Sequence, residues 1–418
     1  MRVLLIANVF PPVVGGSAIV YENICRHLTS NVLVLAPQRR HTDGQPIAGW
    51  QEYDASLPFP VERTDLLRAP IRPAPKTILH AVSRRIVEDY PLKRRVFHKA
   101  LAMVDRFRPD VVCLGDLHAL SWLGQDLKKH RGLPVVQFIH GEEITNTCSS
   151  RAQQAQATAA LQNLDAVIAV SSFTRLKLLE LGLKPERVHL IRNGVDSNRF
   201  HPGEKSSKLI ARHNLKGKKV LLTVARMEER KGHDRVIEAM PQILQQVPGA
   251  VYLIVGTGPR LETLKQMVAE RNLTNTVLFA GEAVRDEIPE YYRLCDVFLM
   301  PNRTLASGDT EGFGLVFLEA GACSKPVIGG LAGGVPDAVL DNQTGFLVDG
   351  KSSHAIGQAV IRLLVDTDMA RKFSDAGVRH AQANDWSYKT QDFLSVCSVA
   401  VRTKVFSAAF GNVKWRPD

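Results

Sequence analysis

The most specific chemical pattern in the sequence is a pair of glutamates, Glu311 and Glu319, with a glycine-rich loop and the start of a helix between them. They stand about two helical turns apart, but Glu311 belongs to the loop, so the two carboxylates need not share a helix face. One carboxylate suits a sugar and the other the hydroxyls of a ribose, because ionised carboxylates accept strong hydrogen bonds. The free amides of the loop suit a phosphate or a sugar hydroxyl. A solvated pair of glutamates is the simpler alternative, but the neighbouring residues are apolar or glycine.

Two basic residues, Arg226 and Lys231, lie in a charged loop that follows an apolar run in the second half of the chain. A guanidinium and an ammonium that converge there would neutralise a diphosphate leaving group. Two exposed cations in an ordinary surface loop are the alternative. We expect Arg230, which lies between them, to face solvent.

Three weaker signals follow other apolar runs. Gly15 and Gly16 come after the first run, where glycines at a helix start let a phosphate approach the amides, although a simple tight turn has the same composition. Gly256 and Gly258 form a lone G-x-G, which either leaves room for a base or ribose or only marks a helix start. His140 also follows a strand, and by position alone it suits a ligand contact and a core histidine equally well.

Apolar, β-branched runs must form the elements that position these residues. In the first half they are Val3–Ala7, Val32–Ala36, Val111–Leu114, Val135–Ile139, Ala166–Val170 and Val188–Ile191; in the second half they are Val220–Val224, Val251–Val255, Val277–Ala280, Val297–Met300, Val327–Ile328 and Phe346–Val348. Such strands, alternating with helical patterns, indicate parallel sheets covered on both faces. Two series predict an α/β fold with two Rossmann-like domains that face each other across a cleft, with ligand loops at the carboxyl ends of the strands.

The length of 418 residues and the content of 45% hydrophobic and 23% charged residues suit two globular domains. The polar stretch His201–Lys219 is the expected linker between them. We therefore predict one domain over residues 1–200, a second over residues 201–385, and a separate C-terminal segment over residues 386–418.

The formal net charge of +11 favours an anionic partner, which could be a nucleic acid, a membrane surface or an anionic substrate. Part of this charge lies in the segment Lys76–Arg108, where basic residues interleave with apolar ones at roughly helical spacing. A basic amphipathic segment can lie on anionic lipid head groups, whereas a solvated helix face is the plainer interpretation. Because no nucleic-acid-binding module accompanies this segment, we do not expect nucleic acid as a partner.

The location predicted from the sequence is cytoplasmic. The first apolar run, Val3–Ala7, is too short for a signal peptide or a membrane span. The six cysteines are scattered without a C-x-x-C pair, which argues against disulfides and a zinc site. The basic segment 76–108 would add peripheral attachment to the inner face of the plasma membrane.

The spacing of Glu311 and Glu319 matches the E-x7-E signature, and the chain resembles retaining glycosyltransferases of family four, which have the GT-B fold. The resemblance covers nearly the whole chain, through Gly15-Gly16, Arg226, Lys231 and Gly333-Gly334. The run Met300-Pro301-Asn302-Arg303, which leads into the Glu311 loop, resembles mannosyltransferases of the phosphatidylinositol-mannoside and exopolysaccharide types. Ser324 is a departure, since relatives usually carry glycine at that position.

This resemblance implies roles for the site residues. Arg226 and Lys231 would bind the donor diphosphate, Glu319 would bind the ribose, and Glu311 would bind the transferred sugar. The amides of Phe313, Gly314 and Leu315 would contact the sugar or phosphate. Gly15-Gly16 would approach the phosphates across the cleft, and His140 would lie near the donor sugar. The first domain would hold the acceptor, the second the donor, and the segment from Trp386 would cross back to the first domain.

The function implied is retaining transfer of a hexose from a nucleotide sugar, with GDP-mannose as the expected donor, onto a lipid-linked or saccharide acceptor. A UDP-hexose is the alternative donor, and a non-catalytic nucleotide-sugar-binding protein is the alternative on the same scaffold. We expect no cofactor and no metal, because the strands lack a D-x-D ligand pair at their ends and two cations already serve the diphosphate. An NAD-dependent oxidoreductase would need G-x-G-x-x-G after the first strand, where this chain has a prolyl loop.

Overall fold

The computed structural model describes residues 1–71, 77–145 and 151–410. The chain forms two compact units. Unit 1 contains Met1–Val170, Arg175–Ile191 and the chain from Trp386, and unit 2 contains Ser171–Thr174 and Arg192–Asp385. Lys76, at the start of the basic segment, and Cys148 lie outside the described residues.

The strands and helices follow in chain order. The strands are β1 (Val3–Ile6), β2 (Val32–Pro37), β3 (Val61–Thr64), β4 (Val111–Leu114), β5 (Val135–Ile139), β6 (Ala166–Ala169), β7 (Val188–Leu190), β8 (Lys219–Val224), β9 (Ala250–Val255), β10 (Val277–Gly281), β11 (Val297–Met300), β12 (Val327–Gly330) and β13 (Gly345–Val348). The α-helices are α1 (Gly16–Leu28), α2 (Trp50–Ala55), α3 (Ile78–Arg84), α4 (Tyr90–Phe107), α5 (Leu117–Arg131), α6 (Glu142–Thr145), α7 (Arg151–Gln162), α8 (Ser172–Glu180), α9 (Ser207–Arg212), α10 (His233–Gln246), α11 (Leu261–Glu270), α12 (Ile288–Leu294), α13 (Leu315–Ala322), α14 (Val335–Ala338), α15 (Ser353–Val365), α16 (Thr367–Ala383) and α17 (Trp386–Phe410).

Unit 1 is built on a seven-stranded parallel sheet with the strand order β3-β2-β1-β4-β5-β6-β7. Successive residues of a strand point to opposite faces, and the central strand β1 shows this alternation. Leu4 and Ile6 belong to the core beneath α4 and α5. Leu5 instead lines the opposite side together with Tyr21 of α1 and Phe393 of α17. Helices therefore cover both faces, which explains why the strand sequences are continuously apolar.

Unit 2 is built on a six-stranded parallel sheet with the strand order β10-β9-β8-β11-β12-β13. Its core joins β8, β9 and β11 to α10 and α15, with Tyr252 and Met240 among the fully buried side chains. In both units the strand order reverses beside the first strand of the unit, as in Rossmann folds. The predicted α/β class with two Rossmann-like domains is confirmed.

The boundary between the units differs from the expected one at residues 200/201. Apart from Ser171–Thr174, unit 2 begins at Arg192, whose guanidinium lies 2.5 Å from Asp337, and Phe200 packs edge-on against Tyr292. The stretch His201–Lys219 is also part of unit 2 and not a free linker. Its helix α9 packs against α12 and buries Leu209 completely.

The C-terminal helix α17 belongs to unit 1. It contacts α1, β5 and β6, and the ring of Phe393 stacks on Phe138 of β5 with centroids 5.6 Å apart. Trp386, Phe393 and Cys397 are buried on its inner face. This helix thus completes the apolar cover of the first sheet.

The described part of the basic segment forms α3, a π-helical turn (Arg85–Asp89) and α4. Its apolar residues divide into two sets. Val96, Ala100, Met103 and Val104 of α4 are buried in the core of unit 1, whereas Leu79, Val82, Ile86, Val87 and Tyr90 are exposed. The second set is open to solvent.

Two further findings concern the described residues alone. No helix among them is long and apolar enough to cross a membrane. The five cysteines in these ranges, which are Cys25, Cys113, Cys295, Cys323 and Cys397, are free thiols in buried positions.

Candidate active site

The site in unit 2 starts at the point where the strand order reverses, between β8 and β11. Parallel sheets bind ligands at the carboxyl ends of their strands, beside such a reversal. Arg226 follows β8 and Asn302 follows β11, so the topology alone brings these two loops together. Glu311 lies in the loop between β11 and α13.

Glu311 is the centre of a compact polar cluster. Its Oε2 atom lies 2.5 Å from Nζ of Lys231, 2.9 Å from Nη1 of Arg230 and 3.1 Å from Nδ2 of Asn302. The carboxylate is mostly buried, with 14% of the side chain exposed. All three donors use Oε2, and Oε1 has no hydrogen-bond partner in the part of the chain that the structure describes. Oε1 of Glu311 is therefore left as a free hydrogen-bond acceptor.

Arg230 occupies a different place from the one that we expected. Its place in a charged loop predicts a solvent-exposed residue, but its side chain is only 10% exposed and pairs with Glu228, Asp309 and Glu311. The expectation was wrong because Arg230 and Lys231 lie on one 3-10 turn, Glu229–Lys231, that packs its basic side chains against the Glu311 loop. The charged sequence of this loop does not by itself indicate that Arg230 packs against Glu311.

The electrostatics of the cluster favour an ionised Glu311. Burial by itself would raise the pKa of the Glu311 carboxyl, but the charges and hydrogen bonds of Lys231 and Arg230 outweigh it and hold the pKa below its ordinary value. Glu311 is thus a fixed negative charge that accepts hydrogen bonds, which suits the binding of sugar hydroxyls.

A second buried ion pair, between Arg303 and Asp234, holds the same loops and was missed by the sequence analysis as a site feature. The guanidinium of Arg303 contacts both carboxylate oxygens of Asp234, at 2.9 and 2.8 Å. The backbone N–H of Arg303 also donates to the carbonyl of Arg230 at 2.9 Å. This bidentate pair ties the end of β11 to the start of α10 and so positions the 3-10 turn. Its only signal in the sequence was the Met300–Arg303 run.

Glycines let the Glu311 loop approach its neighbours. Gly314 has a φ of +93° and Gly333 a φ of +54°, in the left-handed region that favours glycine. A Cβ on Gly333 would overlap the carbonyl oxygen of Glu311, and one on Gly334 would overlap that of Gly312. The Gly334 amide also donates to Glu311 O at 2.8 Å. The Gly333-Gly334 pair therefore fixes the loop that carries the catalytic candidate.

The helix α13 begins at Leu315, as the sequence predicted. The amides of Phe313, Gly314 and Leu315 donate to no protein acceptor within the described ranges, so they are available at a helix N-terminus. Glu319 lies one turn further and accepts a hydrogen bond of 2.7 Å from the Tyr292 hydroxyl. Burial raises the pKa of the Glu319 carboxyl. The two glutamates thus accept hydrogen bonds from different donors.

Arg226 is exposed and does not contact Glu311, but it shares Glu228 with Arg230 of the Glu311 cluster. Its side chain is 71% exposed and pairs with Glu228 at 2.8 Å. Gly256 and Gly258 pack against the backbone of this loop, where a Cβ on either would overlap Ala225 or Met227. Their close approach to the backbone accounts for both glycines, and contact with a base or ribose remains a prediction.

In unit 1, Gly15 is the N-cap of α1 and Gly16 is its first residue. A Cβ on Gly16 would meet nothing within 4 Å, and one on Gly15 would make only an ordinary contact with Val9. The amides of Gly16 and Ser17 have no protein acceptor among the described residues. The helix start is therefore open, with the free N–H groups that a phosphate requires.

His140 follows β5, as predicted, and lies against Tyr21 of α1. Its Nε2 atom is 2.7 Å from the Tyr21 hydroxyl, which also lies 2.6 Å from the carbonyl oxygen of Gly115. The ring stacks on Phe138 with centroids 6.1 Å apart. Burial lowers the pKa of the His140 imidazole to about 4, so the ring is neutral at physiological pH.

Glu143 is a further polar residue here that the sequence analysis did not single out. Its Oε2 accepts the backbone N–H groups of His140 and Gly141 at 3.1 and 3.0 Å. Burial and, to a lesser extent, the neighbouring charge of Asp116 raise the pKa of the Glu143 carboxyl to about 8. Glu143 thereby fixes the backbone that carries His140. A glutamate three residues after the strand-end histidine was the available signal.

No group of three His, Cys, Asp or Glu side chains within residues 1–71, 77–145 and 151–410 is arranged to hold a metal ion.

Family models and solved structures identify the fold class of the chain. A family model described as Glycosyltransferase Family 4 matches residues 14–199, and one described as Glycosyl transferases group 1 matches residues 206–380. The fold is shared with Anabaena HepE, solved with UDP and glucose, at a TM-score of 0.76 and 22% identity over 95% of this chain and 99% of that one. A sucrose-phosphate synthase from Thermosynechococcus elongatus gives a TM-score of 0.73 at 22% identity, over 97% and 99% of the two chains. The fold is GT-B.

The relatives in sequence then define the family. The chain is 30% identical over 392 residues to a GDP-mannose-dependent alpha-(1-6)-phosphatidylinositol monomannoside mannosyltransferase of Mycolicibacterium smegmatis, covering 93% of this chain and 95% of that one. It is 28% identical over 394 residues to a GDP-mannose-dependent monoacylated alpha-(1-6)-phosphatidylinositol monomannoside mannosyltransferase of Corynebacterium glutamicum, again covering 93% of this chain and 95% of that one. The chain therefore belongs to glycosyltransferase family four, and it is a glycosyltransferase.

Proposed function

We propose that this glycosyltransferase moves an α-mannosyl group from GDP-mannose onto a lipid-linked or saccharide acceptor, with retention of the anomeric configuration. The observation that carries the proposal is the cluster at Glu311, in which three donors fix one carboxylate oxygen and leave the other for a ligand. The relatives named above as GDP-mannose-dependent enzymes support mannose as the sugar and GDP as the nucleotide. Anabaena HepE, solved with UDP-glucose, supports the alternative of a UDP-hexose donor.

Different groups would bind the sugar end and the nucleotide end of the donor. Glu311 Oε1 would accept a sugar hydroxyl, and Glu319 Oε1, which has no protein partner in the described ranges, would accept from the ribose. The amides of Phe313, Gly314 and Leu315 would donate to the sugar or phosphate. The open helix start at Gly16 suits a phosphate in the same way.

The transfer step breaks the bond between the anomeric carbon and the leaving phosphate oxygen. Negative charge then grows on the diphosphate, and Arg226 and Lys231 would stabilise it more strongly in the transition state than in the ground state. The acceptor oxygen would form its bond to the anomeric carbon on the same face, and the leaving phosphate oxygen would take the acceptor proton. Retention follows from this front-face geometry without a protein nucleophile.

Lys231 has two roles in this proposal. In the structure its ammonium lies against Glu311, so a bound diphosphate would share or replace that contact. Arg230 remains on Glu311 in either case, because its side chain is buried in the same cluster. Glu311 therefore stays ionised while Lys231 serves the leaving group.

The test is the turnover of Arg226→Ala and Lys231→Ala with GDP-mannose. Each substitution should lower turnover by about two orders of magnitude or more, the loss typical of a removed transition-state contact. Arg371→Ala is the matched control, since Arg371 is also an exposed arginine of unit 2 in a surface ion pair. Near wild-type turnover in both site variants would refute the assignment. A non-catalytic sugar-binding protein would bind the donor and show no turnover in any variant.

We also propose that the protein attaches peripherally to an anionic membrane at the cytoplasmic face. Leu79, Val82, Ile86 and Val87 are exposed in α3 and the π-helical turn. Arg85 of the π-helical turn and Arg94 and Arg95 of α4 are also exposed and form no ion pair with other described residues. Exposed apolar side chains with unpaired cations suit lipid head groups of negative charge. A lipid-linked acceptor would then be reached at the membrane surface.

A further inference from the structure

The hydrogen bonds around Tyr21 determine which nitrogen of His140 carries the proton. The Tyr21 hydroxyl lies 2.6 Å from the carbonyl oxygen of Gly115 and 2.7 Å from Nε2 of His140. A phenol has one proton to donate, and a carbonyl oxygen can only accept. If the phenol proton pointed to His140, two oxygens would face each other at 2.6 Å with no proton between them. The proton must therefore lie on the side of Gly115.

The second contact of Tyr21 then needs a proton from the histidine. With the phenol proton committed to Gly115, the hydroxyl oxygen accepts, and His140 donates through Nε2–H. A neutral imidazole carries a proton on one nitrogen only, so Nδ1 keeps its lone pair. In the described ranges no protein group hydrogen-bonds to Nδ1, and His140 is half-buried. The free nitrogen is thus an acceptor that no protein group in the described ranges occupies.

Both partners stay neutral at physiological pH, which this assignment requires. Burial raises the pKa of the Tyr21 phenol well above its ordinary value, so the phenol keeps its proton. Burial lowers the pKa of His140 to about 4, so the imidazole remains unprotonated at Nδ1 from about pH 5 upward.

Packing holds Tyr21 in the position that this arrangement needs. The side chain is 1% exposed, and its ring meets those of Phe138 and His140 edge to face, with centroids 6.0 and 5.3 Å away. A Cβ on Gly115 would lie 2.9 Å from the Tyr21 ring, so glycine is required for the carbonyl to come so close. The hydroxyl therefore has no freedom to turn to another partner.

We propose that Tyr21 is a positioning residue, which fixes His140 as the Nε2–H tautomer so that Nδ1 accepts a hydrogen bond from the donor sugar. The identity of the ligand rests on the proposed function, whereas the tautomer does not. An imidazole has its negative end at the lone-pair nitrogen. A neutral His140 in this tautomer would accept from a sugar hydroxyl and would also favour the positive charge that develops at the anomeric carbon.

The tautomer can be read directly from the wild-type protein labelled with ¹⁵N in histidine. Correlation of ring nitrogens with carbon-bound ring protons separates a protonated nitrogen from a lone-pair nitrogen, and His140→Gln identifies the His140 signals. At pH 7 we expect a protonated Nε2 and a lone-pair Nδ1, with imidazolium appearing only near pH 4. A protonated Nδ1, an even mixture or an imidazolium at pH 7 would overturn the proposal.

Tyr21→Phe tests the positioning role. The variant should give a mixture of tautomers for His140 and lower kcat/KM for GDP-mannose roughly two- to tenfold, the worth of one neutral hydrogen bond. Tyr291→Phe is the matched control, since Tyr291 is a buried tyrosine of unit 2 whose hydroxyl lies 3.1 Å from Nε2 of His213. That control should leave the His140 signals unchanged. An unchanged tautomer in Tyr21→Phe would contradict the role of Tyr21.

The two proposals fail separately. If the tautomer is as expected but GDP-mannose is not a donor, the proposed function fails and the tautomer assignment stands. If GDP-mannose is turned over but the wild-type Nδ1 carries the proton, the inference about Tyr21 fails alone.

Discussion

Replacement of Arg230 by glutamine tests whether Arg230 stabilises the buried Glu311 carboxylate, a role distinct from donor binding by Arg226 and Lys231. Arg230 and Glu311 are 10% and 14% exposed, and the guanidinium also pairs with Glu228. Loss of one partner from a buried ion pair costs about 3–5 kcal/mol when the remaining charge has no other partner. Here Lys231 and Asn302 still hold Glu311. We therefore expect a smaller loss, about 2 kcal/mol in the free energy of unfolding.

The assay is thermal unfolding, with Arg226→Gln as the matched control. For a domain of this size, 1 kcal/mol corresponds to roughly 2–4 °C, so Arg230→Gln should lower Tm by roughly 4–8 °C. Arg226 is 71% exposed, and the same substitution there should change stability by less than about 0.5 kcal/mol. Turnover should fall strongly in Arg226→Gln even though its stability is kept.

The pH dependence of the same variant has a defined sign. The pKa of Glu311 is lower in the folded protein than in the unfolded chain, so its contribution to stability is present above the unfolded pKa and is lost as the pH falls through the folded pKa. Removal of Arg230 raises the folded pKa and shrinks that contribution. The Tm difference between wild type and Arg230→Gln should thus be largest near pH 7 and narrow on acidification. Equal stability of Arg230→Gln and wild type, or equal destabilisation by Arg226→Gln, would refute this reasoning.

Three further predictions follow from other parts of the molecule. Transfer should continue in EDTA, because the cations of the site serve the diphosphate, and loss of activity that magnesium restores would contradict this. Arg94→Glu combined with Arg95→Glu should abolish sedimentation with liposomes rich in anionic lipid at low salt and leave turnover of a soluble acceptor unchanged; equal sedimentation of both proteins would contradict the membrane proposal. Ser324→Gly should raise the free energy of unfolding by about 1 kcal/mol, because Ser324 has a φ of +61°, in the left-handed region that favours glycine. An unchanged or lower free energy of unfolding in a denaturant titration would contradict this.

The fold was predictable because its sheets are covered on both faces. Each of the twelve continuous apolar runs forms a strand, since a buried parallel strand has no solvent face to interrupt the pattern. The thirteenth strand, Val61–Thr64, was missed because it pairs only with β2 at the sheet edge and is half-buried throughout. Its Arg63 is buried by pairing with Asp54, a contact that charge in the sequence does not reveal.

The site was predictable where a motif constrains the backbone and less so where side chains converge from separate loops. The helix start at Leu315 followed from the glycines, which set the loop before it. The burial of Arg230 could not be predicted, because it depends on how a 3-10 turn packs on a loop about 80 residues later in the sequence. The same holds for the contacts of Tyr21 in α1 with Gly115 and His140, because only the sheet order places the ends of β4 and β5 side by side beneath that helix.

Donor binding tests the central claim most directly. Calorimetric titration with GDP-mannose, UDP-glucose and the free nucleotides would identify base and sugar together, with Lys231→Ala measured in parallel. We predict that GDP-mannose binds most tightly and that Lys231→Ala weakens its binding, while Arg371→Ala does not. Failure of every nucleotide sugar to bind, or binding of GDP-mannose that Lys231→Ala leaves unchanged, would contradict the account.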